Sequence, residues 1–123
     1  MKIFITGSDG FIGQHMVARL NPVHELGFLT CDLRDHAQVK QQLLDFSPDV
    51  IVHLAARTEV QDSFYEQITF SEINYVGTVN LIEAARSVPN LQNFVFASTM
   101  EVYGWQPVSD LIEQGSDSGN AVF

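Results

Sequence analysis

The segment KIFITGSDGFIG, Lys2 to Gly13, joins an apolar, β-branched run to a turn crowded with glycine. The run Lys2–Thr6 predicts a strand, and the turn that follows predicts the start of a helix, on which Ile12, Met16 and Leu20 recur at helical spacing. Asn21-Pro22 ends that helix, because proline restrains the residue before it and cannot continue the pattern. Within the turn the glycines stand at positions 7, 10 and 13. Glycine permits backbone angles that other residues resist, the middle one lets a pyrophosphate approach the main chain, and the third lets helix and strand pack closely. The helix amino terminus faces the same place, and its unpaired N–H groups favour an anion. A strand, this turn and a helix in that order predict dinucleotide binding.

Outward from this segment the chain alternates. ELGFLTC (Glu25 to Cys31) predicts a second strand, and Asp35 with Gln38 forms a capping pair for a helix carrying Val39, Leu43 and Phe46, ended by Ser47-Pro48. DVIVHLA (Asp49 to Ala55) is a continuously apolar third strand, the pattern of a strand covered on both faces. From about Glu66 to Val88 one helix is expected, with Ile73, Gly77, Leu81, Ala84, Ala85 and Val88 on its packed face, and NFVFA (Asn93 to Ala97) is the fourth strand. The fold class is therefore α/β, a doubly wound parallel sheet of about four strands with flanking helices, with ligands beyond the carboxyl ends of the strands. Residues 1–104 form the binding unit, and the stretch from Gln106, without periodicity and rich in Ser, Asp and Gly, reads as an irregular tail over 105–123.

Composition excludes several functions. The chain has 123 residues, six Lys+Arg against 15 Asp+Glu, a net charge of −9, 46% hydrophobic and 17% charged residues, which describes one globular unit. The acidic balance and scattered cations exclude a nucleic-acid partner. One cysteine, no cationic leader and no long apolar run predict a cytoplasmic protein with no membrane association and no disulfide. The four histidines show no metal spacing, and His53 is read as hydrogen-bonded within the sheet. Cys31 reads as a small buried hydrophobe, and Glu59, Asp62 and Glu66 as a solvated acidic face.

TGSDGFIG (Thr6 to Gly13), DLRD (Asp32 to Asp35), HLAA (His53 to Ala56), INYVGTVNLIEAAR (Ile73 to Arg86) and FVFASTMEVYG (Phe94 to Gly104) stand in the order of the extended short-chain dehydrogenase/reductases. The chain resembles the amino-terminal part of that family's NAD-dependent nucleotide-sugar epimerases and dehydratases, and the resemblance implies a partial Rossmann-type sheet. It places the pyrophosphate on Gly7, Gly10, Phe11, Ile12 and Gly13, and the adenine between Asp32 and Leu33. Leu54, Ala55 and Ala56 would run past the ribose and nicotinamide, with Asn74 near the cofactor. The family's acidic residue at the end of the second strand is Thr30 here. With no cation at that strand end the cofactor is NAD, while nearby Arg34 leaves NADP open.

The resemblance also implies chemistry. Thr99 falls at the position of the hydroxyl that assists the reaction at the sugar, and Glu101 at that of the dehydratases' base, though Met100 between them departs from the dehydratase pattern. Tyr103 reads as a packed aromatic, since the residue four positions on is Pro107 and not lysine. Lys2 and Lys40 are the only lysines, so no Y-x-x-x-K occurs, and Phe123 is reached about where the catalytic tyrosine would be due. The expectation is the NAD(P)-binding portion of a nucleotide-sugar epimerase or 4,6-dehydratase, inactive alone and self-associating as a homo-oligomer. The alternatives are a non-catalytic dinucleotide-binding or interaction module, and an inactive remnant.

Overall fold

A computed structural model describes residues 1–99 and 102. The strands β1 (Lys2–Thr6), β2 (Glu25–Phe28), β3 (Val50–His53) and β4 (Asn93–Phe96) form one sheet in the order β2-β1-β3-β4, with every pair parallel. The order reverses between β1 and β3, because the chain leaves β1 toward β2 and then returns to β1's other side. At such a switch point the loops beyond the strand ends diverge and leave a crevice.

Alternation along β1 sends its side chains to two cores. Ile3 and Ile5, with Val52, pack under Met16, Val17 and Leu20 of α1 (Phe11–Leu20). Phe4 and Ile51 face the other way, into a cluster with Val39 and Leu43 of α2 (His36–Phe46) and Leu81, Ala84 and Ala85 of α5 (Gly77–Ala85). Helices therefore cover both faces, as the apolar run of β3 predicts. Ile12 departs from the expected α1 stripe: it is exposed in the first turn, and α1 packs on the sheet through Met16, Val17 and Leu20 further along.

Local chemistry sets the boundaries. The Asp35 carboxylate accepts the Gln38 backbone N–H at 3.1 Å and the Gln38 side-chain amide at 2.6 Å, capping α2 as the pairing predicts. Ser47, at φ 52°, ends the same helix in the left-handed region, and Pro48 follows. Strands β2 and β3 are shorter than the sequence suggests. Their apolar ends continue as single bonds to β1, Leu29 N–H to Ile5 O and Leu54 N–H to Thr6 O, before the chain turns away.

The long helix expected from Glu66 is three pieces end to end. Short α3 (Val60–Ser63) precedes α4 (Gln67–Ser71), then a π-turn (Glu72–Val76), then α5. The downstream stripe holds, with Gly77, Leu81, Ala84, Ala85 and Val88 buried. A Cβ on Gly77 would lie 2.8 Å from Leu33 Cβ, so this glycine sets how closely α5 approaches the segment after β2. Among the described residues no helix is long and apolar enough to cross a membrane.

Candidate dinucleotide site at the carboxyl edge of the sheet

Residues Gly7–Gly13 follow β1, Asp32 and Leu33 follow β2, Leu54–Ala56 follow β3, and Thr99 follows β4, so the described candidate residues converge on one edge. Glu101 and Tyr103 lie outside the described residues, as does the boundary at 104/105.

The glycine turn is built from two kinds of glycine. Gly7 has φ +72°, and a Cβ there would sit 2.7 Å from Ala55 N. Gly13 is buried in α1, and a Cβ there would collide with the Gly7 carbonyl oxygen and lie 2.8 Å from Ser8 Cα. Both are required by the protein's own backbone. Gly10 is different: it is exposed, and the one atom near its would-be Cβ is Gly7 O at 3.3 Å. Its backbone N–H donates to Gly7 O at 3.2 Å and it caps α1 without a side chain. No acidic residue occupies the first turn of α1, which favours an anion at its N–H groups, and the exposed Asp9 stands just before it. Phe11 and Ile12 are exposed beside it, and the Phe11 ring meets His15 edge-on at 5.1 Å.

After β2, Asp32 is an exposed carboxylate held by Arg34, whose Nη2 lies 2.6 Å from Oδ2 and whose Nε donates to Oδ1 at 3.0 Å. Those bonds to Arg34 bring the Asp32 pKa down to about 2. Arg34 also reaches Glu72 of the π-turn at 3.3 Å. One cation thus stands between two carboxylates, and this corner keeps a negative charge. Leu33 is buried, its side chain packed beneath Gly77, and its carbonyl accepts the Asn80 side-chain amide at 3.0 Å. What Leu33 offers a ligand is main chain.

The loop after β3 is the most heavily tied. Ala55 N–H donates to Thr6 Oγ1 at 3.2 Å, and Thr6 Oγ1 lies 2.6 Å from His53 Nδ1. His53 Nε2 lies 2.8 Å from Thr78 Oγ1, which donates to the Asn74 carbonyl at 2.7 Å. The Asn74 side chain clamps Arg57: its Oδ1 accepts the Arg57 backbone N–H at 2.8 Å and its Nδ2 donates to the Arg57 carbonyl at 2.9 Å. Burial holds the His53 pKa down at about 4, so the ring is neutral at pH 7. The reading of His53 as a hydrogen-bonded histidine inside the sheet matches this geometry. Ala56 is exposed, and Leu54 and Ala55 are half-buried against opposite cores.

Glu59, Asp62 and Glu66 are exposed, as the reading of a solvated acidic face has it, but they are also paired. All three converge on the Arg57 guanidinium, at 4.0, 3.6 and 2.9 Å, and Phe70 supplies a ring 4.8 Å from its centre. An arginine at the strand exit draws together carboxylates that look merely solvated in the sequence. Cys31 is half-buried against the core, and burial raises its pKa, as suits a packed thiol. Thr6, Thr78, Arg57 and Glu72 are not legible as site residues in the sequence, since each acts through a partner distant in the chain. Among the described residues no three His, Cys, Asp or Glu side chains are placed to hold a metal ion.

Sequence comparison matches residues 3–121 to the NAD dependent epimerase/dehydratase family. The chain belongs to this family. It is 32% identical to a dTDP-D-glucose 4,6-dehydratase from Dictyostelium discoideum over 98% of this chain and 33% of that one. To a UDP-glucose 4-epimerase from Klebsiella pneumoniae it is 29% identical, over 92% of this chain and 99% of that sequence. The structure of a Thermus thermophilus UDP-glucose 4-epimerase in complex with NAD superposes with a TM-score of 0.74 at 31% identity, covering 80% of this chain and 38% of that one. The chain therefore spans about a third of the dehydratase and of the solved epimerase.

Proposed function

We propose that these residues form the NAD-binding part of a nucleotide-sugar epimerase or 4,6-dehydratase. The observation that carries this reading is the contrast among the three glycines. Gly7 and Gly13 answer to internal crowding, whereas Gly10 is exposed at a helix terminus with no side-chain cap and no acid in its first turn, where a missing Cβ serves something outside the chain. The pyrophosphate would lie on Gly7, Gly10, Phe11, Ile12 and Gly13. Asp32 and the Leu33 main chain would flank the adenine, and Leu54, Ala55 and Ala56 would line the path toward the nicotinamide. Asn74 would act there through Arg57, since both ends of its amide hold that residue. When bound, NAD supplies a reversible hydride acceptor for a sugar carbon.

NAD is the cofactor favoured over NADP. Arg34, the cation nearest the adenosine corner, is committed to Asp32 and Glu72, and a 2′-phosphate would have to displace both. Thr99, exposed just past β4, is the proposed hydroxyl toward a nucleotide sugar, and Glu101 the proposed base. The 123 residues contain no Y-x-x-x-K, which favours binding without turnover by this chain, in keeping with the second reading as a dinucleotide-binding module. Calorimetry with NAD, NADP and ADP-ribose tests the assignment. Binding with NAD ahead of NADP is expected, and no heat with any of the three on folded protein overturns it.

A further inference from the structure

The hydrogen bonds around His53 have a fixed direction. Thr78 spends its hydroxyl proton on the Asn74 carbonyl, so toward His53 Nε2 its oxygen can only accept, and Nε2 must carry the ring proton. A neutral imidazole then has a lone pair at Nδ1, and Nδ1 accepts from the Thr6 hydroxyl, whose oxygen accepts the Ala55 N–H. Donation runs one way, from the Ala55 amide through Thr6, His53 and Thr78 to the Asn74 carbonyl. The Asn74 side chain then grips both polar groups of the Arg57 main chain. Ala55 and Arg57 are two residues apart on the same loop, so the path leaves the loop and returns to it through the sheet and α5.

We propose that His53, as its Nε2–H tautomer, is a positioning residue for residues 55–57, setting one end through Thr6 and the other through Thr78 and the Asn74 clamp. Three features make this more than a packed polar residue. The ring is buried and both its nitrogens are used. The path joins β1, β3 and α5, elements distant in the chain, at one point. It also enters the π-turn, where a helix departs from regular geometry and from which Asn74 bonds Arg57. The functional meaning of the device rests on the assignment of Leu54–Ala56 to the cofactor, but its existence does not.

The test is made on the full chain by NMR. Nitrogen shifts of the imidazole should report Nε2–H with an unprotonated, hydrogen-bonded Nδ1 at neutral pH. In Thr78→Val the Arg57 amide should exchange about fivefold faster or more, in line with the loss of a single hydrogen bond, while the Val52 amide keeps its protection. Thr78→Ser should restore the Arg57 rate. An Nδ1–H tautomer, or an Arg57 rate unmoved in folded Thr78→Val, overturns the proposal. If Thr78→Val does not fold, the wild-type tautomer decides alone. NAD titration of the wild type separates the two readings: no binding with the Arg57 response intact removes the cofactor assignment and leaves the positioning role, whereas binding with no Arg57 response removes the positioning role.

Discussion

The Cα of Gly13 faces the carbonyl oxygen of Gly7 so closely that a side chain on one would occupy the place of the other's oxygen. That oxygen also accepts the Gly10 N–H, so the whole turn is fastened across this contact. Gly13→Ala should destabilise the fold by about 1–3 kcal/mol, the usual cost of overpacking, because the neighbours are backbone and cannot swing aside. Gly10→Ala should leave the melting temperature near that of the wild type while weakening NAD binding at least about tenfold, which is about 1.4 kcal/mol. Thermal melts paired with calorimetry check both, and a Gly10→Ala protein that binds NAD normally would count against the pyrophosphate position.

His53 makes stability depend on pH in a window that can be named. Its folded pKa is near 4 against an ordinary value of 6.5, and the cause is burial of a ring that stays neutral. Below 6.5 the unfolded chain takes up a proton that the folded one refuses, so stability is full above that value and is lost as pH falls toward 4. The loss is about 3 kcal/mol at most, at about 1.4 kcal/mol for each pH unit in the window. Urea melts at pH 7 and at pH 4.5 should show it, and His53→Gln should flatten the difference even if less stable at pH 7. Equal pH slopes for the two proteins would refute the assignment.

Cofactor preference should respond to Glu72, which is not among the residues proposed to contact the cofactor. Glu72→Gln removes one of the two carboxylates that hold Arg34 and leaves it freer to meet a 2′-phosphate. The NAD over NADP ratio should narrow by about two- to fivefold, the scale of an exposed ion pair, with the gain on the NADP side. An unchanged ratio in competition titrations would mean that Arg34 is not the discriminating cation.

No epimerised or dehydrated UDP-, GDP- or dTDP-sugar should form with this chain and NAD. A general acid–base group contributes about 10²- to 10⁴-fold, and the tyrosine–lysine pair that would supply it is absent from these residues. Product detected by NMR would require another acid/base, with Tyr103 the first to replace by Phe.

Self-association should proceed through β4. Among the described residues it pairs with β3 alone, and Val95 and Phe96 are exposed on it, an edge that another strand can extend. Sedimentation should show dimer at high concentration, reduced by Val95→Lys. A monomer at every concentration would remove this expectation.

The parts of the fold readable in the sequence are those whose signal is local. β1 and β3 announce themselves as apolar runs, the Asp35–Gln38 cap needs four residues, and the glycine turn needs seven. The site's interior is not readable this way. Thr6 and His53 meet across 47 positions, and nothing about a threonine ending an apolar run indicates that its hydroxyl will find a ring. Glu59, Asp62 and Glu66 show a common face but not the arginine that they surround. The π-turn is hidden for a different reason: an apolar stripe at helical spacing from Ile73 onward looks the same whether or not one extra residue has been wound in upstream.

That extra residue works like a phase offset in a screw thread. Each α-helical residue turns the thread by about 100°, so a one-residue excess rotates everything on its amino-terminal side relative to α5 by about that angle. α5 keeps its small residues against α2 and the sheet, while Glu66 and Phe70 are brought round onto Arg57. Two sets of partners lying in different directions are thereby served by one unbroken rod. Deleting the exposed Tyr75 from this turn should leave both halves helical and each well formed, yet aim them wrongly with respect to each other. Such a deletion would mis-set the Arg57 cluster without removing one of its atoms.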